Sequence, residues 1–149
     1  MSWDDVQEFI RQLNNLTGKT FRLPTEAEWE FASRGGVKYV GYKYSGSSSL
    51  DSVGWYDENS GSKTNTVGTK HPNELGLYDM SGNVWEWCNE WYGEYSSFAQ
   101  TNPKGVSSGH HRVVRGGCWI SSAIDNRIPF RGIDNTSNRI KLTGFRLAL

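Results

Sequence analysis

Near the N-terminus, apolar residues recur at helical spacing. Trp3, Val6, Phe9, Ile10, Leu13 and Leu16 fall on one side of an amphipathic helix predicted over Ser2–Leu16. Ser2 and Asp5 have capping-box spacing, and Gly18 stands where a helix stop belongs. A short strand is predicted over Thr20–Leu23. Pro24-Thr25-Glu26-Ala27-Glu28 then opens a second helix, with Thr25 as N-cap, Trp29, Phe31 and Ala32 on its apolar side and Gly35-Gly36 at its end. From 37 to 75 no helical pattern survives. Tyr39, Tyr42, Tyr44, Trp55 and Tyr56 lie scattered among Gly, Ser, Asn and Asp. So long an irregular stretch stays ordered when ions or aromatic plugs hold it.

Residues 76 to 92 are the densest in large rings, with Tyr78, Trp85, Trp87, Trp91 and Tyr92. Ser81-Gly82-Asn83 is turn chemistry, and Val84-Trp85-Glu86-Trp87-Cys88 alternates as a strand with one face on a core. A second loop covers 93–111. His110 and His111 at its end lack a third ligand at metal spacing and read as loop residues. Arg112–Trp119 is predicted as a strand containing Gly116-Gly117, and Gly144–Leu149 as the last one. Between them, Ile120, Ile124, Ile128, Phe130, Ile133, Ile140 and Leu142 follow neither a period of two nor 3.6. Two helices, long loops and an antiparallel sheet make an α+β fold.

Composition narrows the function classes. The 149 residues suit one domain with a single core. With 16 basic and 16 acidic residues the net charge is zero, which gives no electrostatic case for nucleic acid or an anionic membrane. No apolar run approaches a transmembrane helix, so membrane insertion by this chain is not expected, and no signal peptide precedes Trp3. Cys88 and Cys118 do not make a disulfide scaffold; they read as buried free thiols or as one bridge. Asp79, the carbonyls of the Gly82 turn and Glu86 lie close together in sequence. They form either an oxygen-rich cation loop or a solvated turn with a carboxylate at each end.

Four stretches carry a resemblance: Phe21-Arg-Leu-Pro-Thr-Glu-Ala-Glu-Trp-Glu-Phe-Ala-Ser-Arg-Gly-Gly36, Asn73-Glu-Leu-Gly-Leu-Tyr-Asp-Met-Ser-Gly-Asn-Val-Trp-Glu-Trp87, Arg112-Val-Val-Arg-Gly-Gly117 and Gly144-Phe-Arg-Leu147. In this order they resemble the formylglycine-generating-enzyme (sulfatase-modifying factor) domain. The resemblance implies a C-type-lectin-like fold with two helices, a small antiparallel aromatic-rich sheet and long irregular loops. The family's N-terminal portion is absent, so the chain reads as a minimal version or as part of a longer one. By resemblance, structural calcium would be held by the side chains of Asp79 and Glu86 and the carbonyls of Gly82 and Val84. A second calcium region, Val53 to Gly61, departs from the family by carrying Asn59 at an acidic position.

The family's enzymes use two cysteines to hold copper. The matching positions here are Ser121 and Asn126, which offer no soft thiolate, so neither copper nor catalysis is expected. The iron-dependent sister enzymes need a histidine cluster from a further domain. Residues 118 to 142 resemble instead the variable proteins of diversity-generating retroelements, in which Asn positions are rewritten by adenine-directed mutagenesis. Ile120, Ser121, Ser122, Asp125, Phe130, Gly132, Ile133, Ile140 and Leu142 stand at such positions and Cys118 at the family's Ser position, each reachable by adenine changes alone; Lys141 is not. Arg127, Arg131 and Arg139 would brace the backbone.

The expectation is a non-catalytic protein that displays a variable surface to a protein or cell-surface ligand, at a cell surface or on a phage particle through parts outside this chain. The alternative is an oxidase with a displaced active site. A sugar-binding lectin reading lacks its Glu-Pro-Asn or Gln-Pro-Asp triplet.

Overall fold

A computed structural model describes all 149 residues. Helix α1 runs Trp3–Thr17 and α2 runs Glu26–Ser33. Both begin with reciprocal caps. The Asp5 N–H donates to Ser2 Oγ and the Ser2 N–H to the Asp5 carboxylate, each at 3.1 Å. The Thr25–Glu28 pair does the same at 3.1 and 2.8 Å. Each box satisfies two of the N–H groups that a helix start leaves without partners. α1 stops at Gly18, whose φ of 67° suits glycine.

The sheet has strands β1 (Trp85–Trp91), β2 (Arg112–Arg115), β3 (Arg131–Asp134) and β4 (Thr143–Gly144), in spatial order β3-β2-β1-β4. β2 is antiparallel to both β1 and β3, with Trp87 opposite Val114 and Val113 opposite Ile133. Here the structure corrects the expected antiparallel sheet, because β4 runs parallel to β1. The expected last strand is cut to two residues. Beyond it the chain crosses to Arg22, whose backbone exchanges hydrogen bonds of 2.9 and 2.8 Å with Ala148. That single bridge is also all that forms of the strand expected at Thr20–Leu23. β2 ends at Arg115 because Gly116 and Gly117 take φ of 96° and 75° and turn the chain away.

β1 departs from the expected one-sided burial. Glu86, Trp87 and Cys88 are all buried, because each face of the sheet is covered by a helix. On the α1 side Trp87 and Val114 pack with Val6, Ile10 and Leu23; on the α2 side Cys88 and Val113 pack with Trp29 and Met80. The buried indoles of both layers are satisfied. Trp87 Nε1 donates to the Met1 carbonyl at 3.3 Å and Trp29 Nε1 to Glu86 at 2.6 Å. A third cluster, Tyr44, Leu50, Val53 and Tyr56, plugs the irregular region as expected. It is seated on a single helical turn, α3 (Leu50–Val53), that the sequence pattern does not show.

Candidate functional site

Arg115, at the end of β2, organises the segment that follows. It is fully buried. Its guanidinium donates to the carbonyls of Ile128 (3.0 Å), Pro129 (3.2 Å) and Phe130 (2.9 Å) and pairs with Glu30 of α2. A rigid fork of donors thus clamps three successive carbonyls, and its charge is matched from the helix. Asn126, also buried, donates to the carbonyls of Ser121 (3.3 Å) and Ser122 (2.7 Å). At β3, Arg131 forks onto Glu26 at 2.7 and 2.8 Å. Arg139 pairs with Asp5 at the surface. Of the three arginines expected to brace the backbone, Arg127 is exposed. The principal brace is Arg115, whose signal in the sequence was an arginine before two glycines at the end of an apolar strand.

The ten positions expected at a variable surface separate. Cys118 and Ser121 are corrected out of it: both are buried. The Cys118 N–H donates to Ser121 Oγ at 3.1 Å, and Sγ and Oγ lie 3.3 Å apart, so the two side chains close a tight turn against each other. Ser122 and Asp125 bond to one another at 2.9 Å. Phe130, Gly132 and Leu142 collect around Trp85. The Phe130 ring centre lies 6.0 Å from that of Trp85, and Leu142 O accepts the Trp85 N–H at 2.8 Å. A Cβ on Gly132 would come within 3.2 Å of the indole. Ile133, next on the strand, points to the opposite face, as successive strand residues do, so one continuous patch is not what forms. Ile120, Ile133 and Ile140 are 50%, 49% and 41% exposed.

Ser121 and Asn126, which the resemblance sets at the enzymes' cysteine positions, serve the local hydrogen bonding just described. Cys88 and Cys118 are free thiols, not a bridge. Burial among Trp29, Met80 and Val113 pushes the Cys88 thiol well up, aided by the charge of Glu90, which disfavours the thiolate that metal binding or oxidation requires.

The Asp79–Glu86 turn offers oxygen. Asp79 adopts a φ of 55°; its Oδ2 accepts the Gly68 N–H at 2.7 Å, and its Oδ1 is buried without a partner. No backbone N–H donates to the carbonyl of Gly82 or Val84. Glu86 accepts from Trp29 at 2.6 Å and twice from Arg146 at 2.6 Å. That leaves about one of its four lone-pair sites open. Asp79, Val84 and Glu86 line one hollow with Arg146. Of the four groups expected to hold calcium, the hollow brings together Asp79, Val84 and Glu86; Gly82 does not line it, and the Arg146 guanidinium already balances Glu86, so the orphaned Asp79 Oδ1 is the one atom there that a cation would newly satisfy. At the second region Asn59 cross-links the loop itself, donating to Asp51 at 3.2 Å and the Gly54 carbonyl at 3.0 Å.

Comparison with known proteins agrees with this architecture. Treponema denticola variable protein 1 superposes with a TM-score of 0.80 at 43% identity, over 87% of this chain and 47% of its own. The serine/threonine-protein kinase pkn1 of Chlamydia pneumoniae is 41% identical over 131 residues, 85% of this chain and 20% of the kinase. The formylglycine-generating enzyme of Streptomyces coelicolor is 34% identical over 167 residues, 99% of this chain and 51% of the enzyme. The chain therefore spans about half or less of each of these relatives. The family model for the sulfatase-modifying factor enzyme 1-like domain matches residues 1–149, and the chain belongs to that family.

Proposed function

We propose that this chain is a non-catalytic display module, a variable protein of a diversity-generating retroelement that binds a protein or cell-surface ligand. One observation carries the reading. Ile120 and Ile133 stand about half exposed beside stretches whose carbonyls Asn126 (Ser121, Ser122) and Arg115 (Ile128 to Phe130) hold from inside, and Ile140 is 41% exposed. Solvated isoleucines on an immobile backbone offer apolar contact area whose ordering cost is already met by the fold. The resemblance to Treponema denticola variable protein 1 supports the same reading.

In this reading calcium at Asp79, Gly82, Val84 and Glu86 is structural. It would neutralise Asp79 and fix the turn from which β1 departs, and would take no part in ligand contact.

The test is selection against a phage-displayed library of bacterial surface proteins. The bait is wild-type chain or a variant carrying Ile120→Asn, Ile133→Asn and Ile140→Asn together. Binders recovered on the wild type should lose the variant by at least about tenfold, as loss of buried apolar contacts requires. Binders indifferent to all three changes would sink the reading. The family's enzymes leave oxidation of a cysteine-containing peptide as the competing function. Copper-dependent oxygen consumption on such a peptide, abolished by Cys88→Ser or Cys118→Ser, would establish it instead.

A further inference from the structure

On the α2 face, apart from the variable positions, a cavity of about 620 Å³ opens between α2, the end of β1 and the loop 93–106. That volume is in the range of small-molecule sites, roughly 300–1,000 Å³. Its walls are aromatic: Phe31, Tyr95 and Phe98 stand 57%, 63% and 82% exposed at the mouth, and Trp91 is half-buried. Two glycines let the loop lie close. A Cβ on Gly105 would come within 2.7 Å of Glu90 Cγ, and one on Gly93 within 2.6 Å of Val106.

The charges lining this cavity do not balance. Arg131 is matched by Glu26, with forked bonds of 2.7 and 2.8 Å, and Arg34 by Glu30 at 2.7 and 3.0 Å. Glu90 also lines the cavity and is only 4% exposed, yet none of the eight ion pairs includes it. Its Oε2 accepts the Glu26 N–H at 2.8 Å, so the first turn of α2 holds the carboxylate in place. That partial charge does not offset burial, which pushes the Glu90 carboxyl up from its ordinary value. Glu94 at the rim is likewise outside every ion pair. Arg22 and Arg112 act on Glu90 only through space, so a buried carboxylate in no ion pair, at the back of an aromatic-walled opening, is complementary to a positively charged ligand with an apolar body.

We propose that this cavity binds a small organic cation of the arylalkylammonium class, with the ammonium at Glu90 and the apolar body between Phe31, Tyr95 and Phe98. The ammonium would gain a charge-assisted hydrogen bond in a partly dry setting and a cation–π contact from the rings. The proposal does not depend on the display reading, since of the cavity's residues only Arg131 belongs to the 118–142 segment, and its guanidinium is occupied by Glu26.

Calorimetric titration at neutral pH with 2-phenylethylammonium, and separately with the neutral isostere 2-phenylethanol, tests it on the intact chain. The amine should bind saturably and the alcohol at least about tenfold more weakly. Glu90→Gln should weaken the amine about tenfold and leave the alcohol unchanged; Phe98→Ala, at an exposed ring with no folding role, should weaken the amine about threefold. Equal binding of amine and alcohol overturns the proposal. So does an absence of saturable binding up to millimolar amine, or a Glu90→Gln variant that binds as wild type. Should Glu90→Gln fail to fold by circular dichroism, the amine–alcohol difference and Phe98→Ala still decide.

Discussion

Trp87 on β1 and Ile133 on β3 lie two strands apart in one sheet, and the first is wholly buried while the second is half exposed. What differs is the cover. β1 lies between α1 and α2, and its side chains join an apolar cluster on each face. β3 is an edge strand, and the segment before it is held by polar groups that reach its backbone from beneath, Arg115 to three carbonyls and Asn126 to two, while Arg131 ties β3 itself to Glu26 of α2. Fixing the backbone by its carbonyls leaves side-chain identity free, whereas fixing it by side-chain packing does not. The two regions should therefore answer substitution in opposite ways.

The sharpest break is Arg115→Met. It removes a fully buried cation from between Glu30 and Glu26, which keep only Arg34 and Arg131, and takes the donor from the carbonyls of Ile128, Pro129 and Phe130. Removing one partner of a buried pair costs about 3–5 kcal/mol, so the denaturant midpoint should fall steeply and Phe130 should lose protection in hydrogen exchange. A midpoint within experimental error of wild type would show that packing, not Arg115, fixes the segment. Next in size is calcium. At a hundredfold excess over its dissociation constant a bound ion adds ~2.7 kcal/mol, so excess chelator should lower the melting temperature, and Asp79→Ala should remove that response. Unchanged melting in chelator would count against the ion.

A smaller effect comes from Glu28. The Arg22 guanidinium, at 2.6 and 2.8 Å, holds its carboxyl down to about 2. A depressed carboxyl contributes stability above its unfolded value, about 4.3, and loses it as pH falls toward 2. Since the pair is half exposed, the contribution is at most ~1 kcal/mol, and Glu28→Gln should flatten the acid limb of a melting-versus-pH curve. Smallest of all, Ile120→Asn, Ile133→Asn and Ile140→Asn should each change stability by no more than ~0.5 kcal/mol. A loss of several degrees for each would reassign them to the core.

The helices were legible because periodicity and caps are local: Ser2 with Asp5 and Thr25 with Glu28 form the boxes their spacing implies. The sheet was half legible. β1 and β2 carry strand patterns, but whether Thr143–Gly144 would pair parallel to Trp85–Glu86 depends on contacts across nearly sixty residues, which no local pattern encodes. At the candidate surface, the aperiodic isoleucines rightly marked a segment that does not face one core. Codon logic, however, knows nothing of burial, and so it included Cys118 and Ser121. The cavity beside Glu90 was invisible because Glu26, Glu90 and Tyr95 meet only after α2 is laid across β1.

The short contact between Cys118 and Ser121 bears on any process that rewrites residues 118 to 142. Changes at Ile120, Ile133 or Ile140 are judged by what the surface meets. Changes at Cys118 or Ser121 are judged earlier, by whether the tight turn still closes, and a bulky or charged replacement there removes a clone before any target is encountered. Under the proposed display function, the usable repertoire would thus be smaller than the count of rewritable codons, its size set by folding yield as much as by chemistry at the surface.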